Sequence, residues 1–176
     1  VGLRSVRVAT YQSVSGAGAE AIQDLRGESA DDHVLRMDWE FDGTEFDEES
    51  KIRAEARKIL ELPELPISAT CVRVPVVVGH AEAIWVETEE PIAPEQAERL
   101  LSEAPGIQVE IVPSHAEAIG IDEVVVGRIR ADSTSENGLA LFLVADNLRK
   151  GAALNAIQIA ESLVGRALPS SLGVRP

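Results

Sequence analysis

Cysteine is almost absent: the 176 residues include one, Cys71. An intramolecular disulfide is therefore excluded, and a reducing, cytoplasmic compartment is the expectation. Aromatic residues are equally scarce, at 3% of the chain. The core must rest on Val, Ile, Leu and Ala, and no aromatic interleaving suggests base stacking. Positive charge is in deficit, with 16 Lys and Arg against 30 Asp and Glu and a net charge of −14. That balance argues against nucleic acid or an anionic membrane surface as a partner. An anionic substrate would need a few local Arg or Lys residues to overcome the overall field. No apolar run approaches the ~18 residues of a membrane span, and no signal peptide shows. The chain opens inside a strand-like run, VGLRSVRVAT, without Met, so truncation is expected. No H-E-x-x-H, C-x-x-C, P-loop or dinucleotide fingerprint occurs, and no metal site is expected.

An apolar content of 45% is enough for one packed domain. We place it at residues 1–168, with a tail at 169–176. Residues 4–12 alternate as a strand, with Val6, Val8, Thr10 and Gln12 on one face. SVSGAG breaks it, and AEAIQDL follows as a short helix. Ser15–Gly16 thus sit at a helix entrance, where free N–H groups favour anions. Residues 27–46 read as an acidic loop with a short extended piece around Val34–Met37. Asp47 is read as the N-cap of a helix from Glu48 to Leu60, with Ile52, Ala56 and Ile59 as its apolar stripe. Strands are expected at 68–78 and 81–90, a helix from Pro94, and a strand at 106–112. Residues 113–121 hold a turn, with room for one helical turn. Strands 122–132 and 138–146 form a hairpin, and a long helix runs from Asn147 to Ala167. The order predicts an α+β fold: a mixed, largely antiparallel sheet covered by helices on one face.

CVRVPVVVGH (71–80) is the first constellation with chemical meaning. Arg73 and His80 are seven apart, so an unbroken strand would point them to opposite faces. Gly79 permits a bend that would bring them together. Arginine grips a carboxylate bidentately, and histidine trades protons near neutral pH. The alternative is an ordinary strand arginine and a turn histidine. Glu48 and Lys51, three apart on one helix face, are a candidate polar pair or a plain surface ion pair. Gln12 lies at a strand end, where it is a candidate site residue or simply closes a turn. Cys71 lies mid-strand between apolar neighbours and reads as an inert buried thiol. His33 and His115 have no partner spacing and read as loop residues.

Five motifs together carry a resemblance: TYQSVSGAG (10–18), EESKIRAEARKIL (48–60), TCVRVPVVVGH (70–80), VGRIRAD (126–132) and ADNLRKGAALNAIQIAE (145–161). In this order they resemble the C-terminal domain of the aspartate-semialdehyde dehydrogenase family. The resemblance implies a fold similar to the glyceraldehyde-3-phosphate dehydrogenase C-terminal domain, with a homodimer formed across one sheet face. It implies NADP-dependent reductive dephosphorylation of L-aspartyl-4-phosphate to L-aspartate-4-semialdehyde, with phosphate released, in the biosynthesis of lysine, threonine, methionine, isoleucine and diaminopimelate. By the same resemblance His80 is the catalytic acid/base and Gln12 orients the substrate. Arg73 holds the α-carboxylate, Glu48 the amino group and Lys51 the phosphate. Ser15, Gly16 and Asn147 resemble positions that touch the cofactor.

Two departures from the family accompany the match. The dinucleotide-binding domain, with the nucleophilic cysteine and most of the NADP contacts, is not among these residues; Cys71 matches the CVR motif instead. The stretch from SGAG to EESK is also shorter than the family's and lacks its asparagine–proline segment. The chain is therefore read as a fragment, inactive alone. A non-catalytic dimerisation module or nucleophile-less paralogue is the first alternative. A related acyl-phosphate reductase acting on N-acetylglutamyl phosphate is the second. Glu48 argues against the latter, because an acetylated amine has no charge to pair with a carboxylate.

Overall fold

A computed structural model describes residues 2–27 and 35–167. Six strands form its centre: β1 (Leu3–Gln12), β2 (Ile67–Arg73), β3 (His80–Thr88), β4 (Ile107–Glu110), β5 (Val124–Ala131) and β6 (Gly138–Ala145). They make one sheet in the order β2-β1-β3-β6-β5-β4. The outer pairs β1–β2 and β4–β5 are parallel. The inner pairs β1–β3, β3–β6 and β5–β6 are antiparallel. This is the mixed, largely antiparallel α+β sheet that the element order implies. The proposed tail at 169–176, His33 and residues 28–34 of the acidic loop lie outside the described residues.

Of the helices α1 (Ala19–Gly27), α2 (Asp47–Ile59), α3 (Pro94–Ser102), α4 (His115–Ala118) and α5 (Leu154–Ala167), α2 packs on β2, α3 on β4 and β5, and α4 on β6. Three acids in the first turn of α2 and Arg57 and Lys58 in its last turn complement the helix dipole. Asp47 is the first helical residue and not the N-cap, which is Phe46 in extended conformation. Glu49 decides this, because its Oε2 accepts the Phe46 N–H at 3.0 Å and closes the start of the helix. The Glu49 Oε1 accepts the Cys71 N–H at 3.0 Å, fastening α2 to β2. In the expected apolar stripe Ile52 and Ala56 are half-buried, but Ile59 is 79% exposed.

β2 is shorter than the apolar run 68–78 suggests and stops at Arg73. Pro75 has no N–H to continue a ladder. The following segment turns back onto the end of β1: Val14 and Ser15 donate their N–H groups to the carbonyls of Val76 and Val77 at 2.9 and 3.1 Å. Gly79, at φ +100°, then reverses the chain into β3. The final helical element begins not as an α-helix but with a π turn at Arg149–Ala153. Asp146 caps it, its Oδ1 accepting from Leu148 N and Arg149 N at 3.0 and 3.2 Å.

The best-buried apolar cluster is Ala118, Val125 and Val144, with Ala81, Ile121 and Phe142 packed on it. It lies under α4 at one end of the sheet. Cross-strand register puts Arg7, Ala9 and Tyr11 opposite Trp85, Ala83 and Ala81. On this face Tyr11, Trp85, Arg130 and Phe142 line a shallow groove of about 380 Å³. Among the described residues no helix is long and apolar enough to cross a membrane.

Candidate active site

The C-terminal ends of β1 and β2 lie side by side, with Gln12 paired to Arg73. The bend at Gly79 starts β3 next to them with His80. These three strand ends and the start of α2 bring the sequence candidates together. Gln12 is buried and donates from Nε2 to Glu48 Oε1 at 3.2 Å and to Thr10 Oγ1 at 3.4 Å. The other Glu48 oxygen accepts from Lys51 Nζ at 3.2 Å. That bond raises the Lys51 pKa, so the ammonium stays charged throughout the neutral range. Gln12, Glu48 and Lys51 thus form a continuous row that ends at the exposed Lys51.

Arg73 is 7% exposed. Its Nη1 donates to the Ser13 carbonyl at 3.1 Å, and its Nε faces Asp38 at 3.4–3.5 Å. The guanidinium stacks on Trp39, 4.6 Å from the ring centre. The main chain at Arg36 pairs with Arg73 as an isolated antiparallel bridge, so the extended piece read near Val34–Met37 is present at Arg36. Among the described residues Arg73 Nη2 has no acceptor, which leaves this edge of the guanidinium for a ligand.

His80 and Arg73 converge. A methyl group added at Gly16 would sit 3.3 and 3.4 Å from His80 Cε1 and Nε2, and 3.5 Å from Arg73 Nη1. The two side chains therefore border the same exposed glycine backbone. The His80 Nδ1 accepts the Ser13 N–H at 3.1 Å, with the Ser13 hydroxyl at 3.0 Å. Burial, then the Arg73 charge, pushes the His80 pKa down to about 4, against a smaller opposing pull from Glu48. The ring is neutral at physiological pH.

Ser15 and Gly16 lie in a single 3-10 turn, Val14–Ala17, just ahead of α1 and not at the helix entrance itself. Ser15 is tied to Asn147 by bonds of 2.9 and 3.3 Å. The cofactor candidates Ser15, Gly16 and Asn147 are therefore contiguous with His80. Cys71 is fully buried, and burial raises its thiol pKa, so it has no nucleophile character. His115 is not an idle loop residue: it opens α4 and its Nε2 meets the Gly79 carbonyl at 3.3 Å. Among the described residues no group of three or more His, Cys, Asp or Glu side chains is arranged to hold a metal ion.

Sequence reasoning missed Ser13, Asp38 and Trp39. Ser13 lies within TYQSVSGAG, but nothing local attaches a role to it, because its partners Arg73, His80 and Asn147 are 60, 67 and 134 residues away. Asp38 and Trp39 lie in the segment that departs from the family pattern, so resemblance had no role to lend them.

The model of the semialdehyde dehydrogenase dimerisation domain matches residues 34–150. Aspartate-semialdehyde dehydrogenase of Streptomyces akiyoshiensis is 44% identical over 191 aligned positions, covering 91% of this chain and 56% of its own length. The Aquifex aeolicus enzyme of that name is 44% identical, covering 95% of this chain and 56% of its own length. Among solved structures, aspartate semialdehyde dehydrogenase II from Vibrio cholerae, complexed with ASA, superposes with a TM-score of 0.85. It is 40% identical and covers 93% of this chain and 55% of that protein. The chain thus spans about 56% of the length of the curated relatives it matches. An alignment of 191 positions exceeds the 176 residues present, so the relatives carry residues that this chain lacks. The semialdehyde dehydrogenase family, through its dimerisation domain, is the one to which this chain belongs.

Proposed function

We propose that these residues are the substrate-gripping and dimerising half of an NADP-dependent aspartate-semialdehyde dehydrogenase. The observation that carries the reading is the unbroken row Lys51–Glu48–Gln12 running to the Arg73–His80 pair. A substrate with an α-carboxylate, an ammonium group and a terminal phosphate asks for two cations and one carboxylate. Arg73 and Lys51 supply the cations and Glu48 the carboxylate, in a chain whose overall charge would otherwise repel an anion.

Arg73 is prepaid in orientation: Ser13, Asp38 and Trp39 hold the guanidinium with one edge open, so little side-chain entropy is lost on gripping a carboxylate. The Gln12 amide, fixed between Thr10 and Glu48, orients the chain of the substrate. His80 presents Nε2 on the side of Gly16. A neutral ring there holds a proton against negative charge developing on the acyl oxygen. Bound NADPH supplies the hydride in such enzymes. The exposed Gly16 backbone beside His80 and Asn147 fits the edge of a nicotinamide ring. The nucleophilic thiolate belongs to the other half of such an enzyme, since Cys71 is buried and inert. The open sheet face of Tyr11, Trp85 and Phe142 fits a second copy of the chain, making a homodimer.

The test joins these residues to a dinucleotide-binding half carrying the cysteine and follows NADP⁺ reduction with aspartate semialdehyde and phosphate. His80→Ala is expected to cost about 10²–10⁴ in kcat, and Arg73→Lys to raise KM for the semialdehyde. Turnover near that of the unmodified protein in His80→Ala would remove His80 from the reaction. A preference for N-acetylglutamate semialdehyde would overturn the substrate assignment.

A further inference from the structure

Asn147 follows the last strand, yet its side chain reaches into the turn that holds His80. Its Oδ1 accepts from Gly79 N at 2.8 Å, from Ser13 Oγ at 3.1 Å and from Ser15 Oγ at 3.3 Å. Its Nδ2 donates to Ser15 Oγ at 2.9 Å. The orientation of the amide is fixed, because the Gly79 N–H can only donate and so requires the oxygen to face it.

Ser13 and Gly79, both held by Asn147, flank His80. Gly79 precedes it in the chain, at a positive φ that sets where the ring starts. Ser13 meets the ring itself, through its N–H on Nδ1; its hydroxyl lies 3.0 Å from the same nitrogen, so Nδ1 and the Asn147 Oδ1 compete for its one hydrogen. A main-chain N–H cannot accept a proton, so Nδ1 must offer its lone pair. A neutral imidazole with an acceptor at Nδ1 carries its proton on Nε2. Nε2 is the nitrogen beside Gly16.

We propose that Asn147 is a positioning residue for His80. By pinning Ser13 and Gly79 together, it holds the Ser13 N–H on Nδ1 and commits the ring to the Nε2–H tautomer before any substrate arrives. The proposal deepens the reading of His80 as the residue that works on the acyl oxygen. Its test requires no turnover, so the two can fail separately.

The readout is the pair of ring-nitrogen shifts of His80 in the ¹⁵N-labelled 176-residue chain near neutral pH, assigned with His80→Gln. The unmodified chain is expected to show one bare nitrogen, Nδ1, and one protonated nitrogen, Nε2. Asn147→Ala is expected to lose that separation, the two shifts moving toward each other as the tautomers mix. Asn147→Asp keeps the acceptor oxygen and is expected to retain the fixed tautomer. An Nδ1–H tautomer in the unmodified chain would overturn the proposal. So would an Asn147→Ala chain that folds with the His80 shifts unmoved. If Asn147→Ala does not fold, Asn147→Asp decides: a fixed Nε2–H supports the pin, and mixed tautomers refute it.

Discussion

A histidine whose Nδ1 faces a main-chain donor has one nitrogen left for chemistry, and protonating the other must break a contact. His80 meets that condition and is also desolvated beside Arg73. Its pKa is about 4 in the folded chain against 6.5 for an unburied imidazole. Between those values the unfolded chain binds more protons, so stability rises with pH across that window. The contribution is complete above pH 6.5 and is lost as pH falls toward about 4. At roughly 1.4 kcal/mol per pKa unit it is worth about 3 kcal/mol at most. Urea midpoints at about pH 7 and about pH 5 should therefore differ more for the unmodified chain than for His80→Gln; equal differences would refute the shift. The same residue shows the reach of the sequence. The Arg73–Gly79–His80 spacing made convergence readable, because a glycine is the residue that allows such a bend. The Ser13 and Asn147 contacts were not readable, because hydrogen bonds between distant segments leave no local pattern.

The Glu49 carboxylate fastens helix α2 to the main chain of β2. Glu49 is 8% exposed and accepts two main-chain N–H groups, from Phe46 and Cys71. Glu49→Ala would strand both donors and is expected to cost about 2–4 kcal/mol, with Glu49→Gln costing less because one acceptor oxygen remains. Equal urea midpoints for Glu49→Ala and the unmodified chain would show that water replaces the carboxylate. At the other side of the sheet, Gly127 admits no side chain. A methyl group there would lie 2.0 Å from the Glu110 carbonyl and 2.8 Å from Pro113. Gly127→Ala is expected to prise β4 from β5 and to lower the urea midpoint sharply; an unchanged midpoint would show that β4 yields freely. Period and turn chemistry located most elements, including the 138–146 strand and the Pro94 helix, to within a few residues. They failed at two ends, for reasons of different kind. The run 68–78 is apolar throughout, and Pro75 ends its ladder where hydropathy does not. The helix starting at 47 has three acids in its first turn, and only the fold shows that Glu49 and not Asp47 holds the cap.

At the scale of the molecule, the last helix stands apart. Ile157, Ile159, Leu163 and Val164 on α5 are 55–61% exposed. Such a surface favours association. Ile157→Lys combined with Leu163→Lys is expected to lower the weight-average mass in sedimentation while leaving the urea midpoint in place. An unchanged mass would show that α5 adds nothing to association across the sheet face. The α+β class was legible because element order alone distinguishes it. The strand order was not, since nothing local says that β1 lies between β2 and β3. That order governs how the chain folds. The β5–β6 hairpin closes over the short stretch between Ala131 and Gly138, whereas β1 meets β2 only after everything from Ser13 to Pro66 has been gathered in. Loop closure of that length slows pairing, so the hairpin is expected in the folding nucleus, with φ-values well above those in β2. The β1–β2 seam is the one that aligns Gln12 with Arg73. The pairing of Gln12 with Arg73 is therefore expected to form after the hairpin, and any transient opening of that seam would part the two side chains.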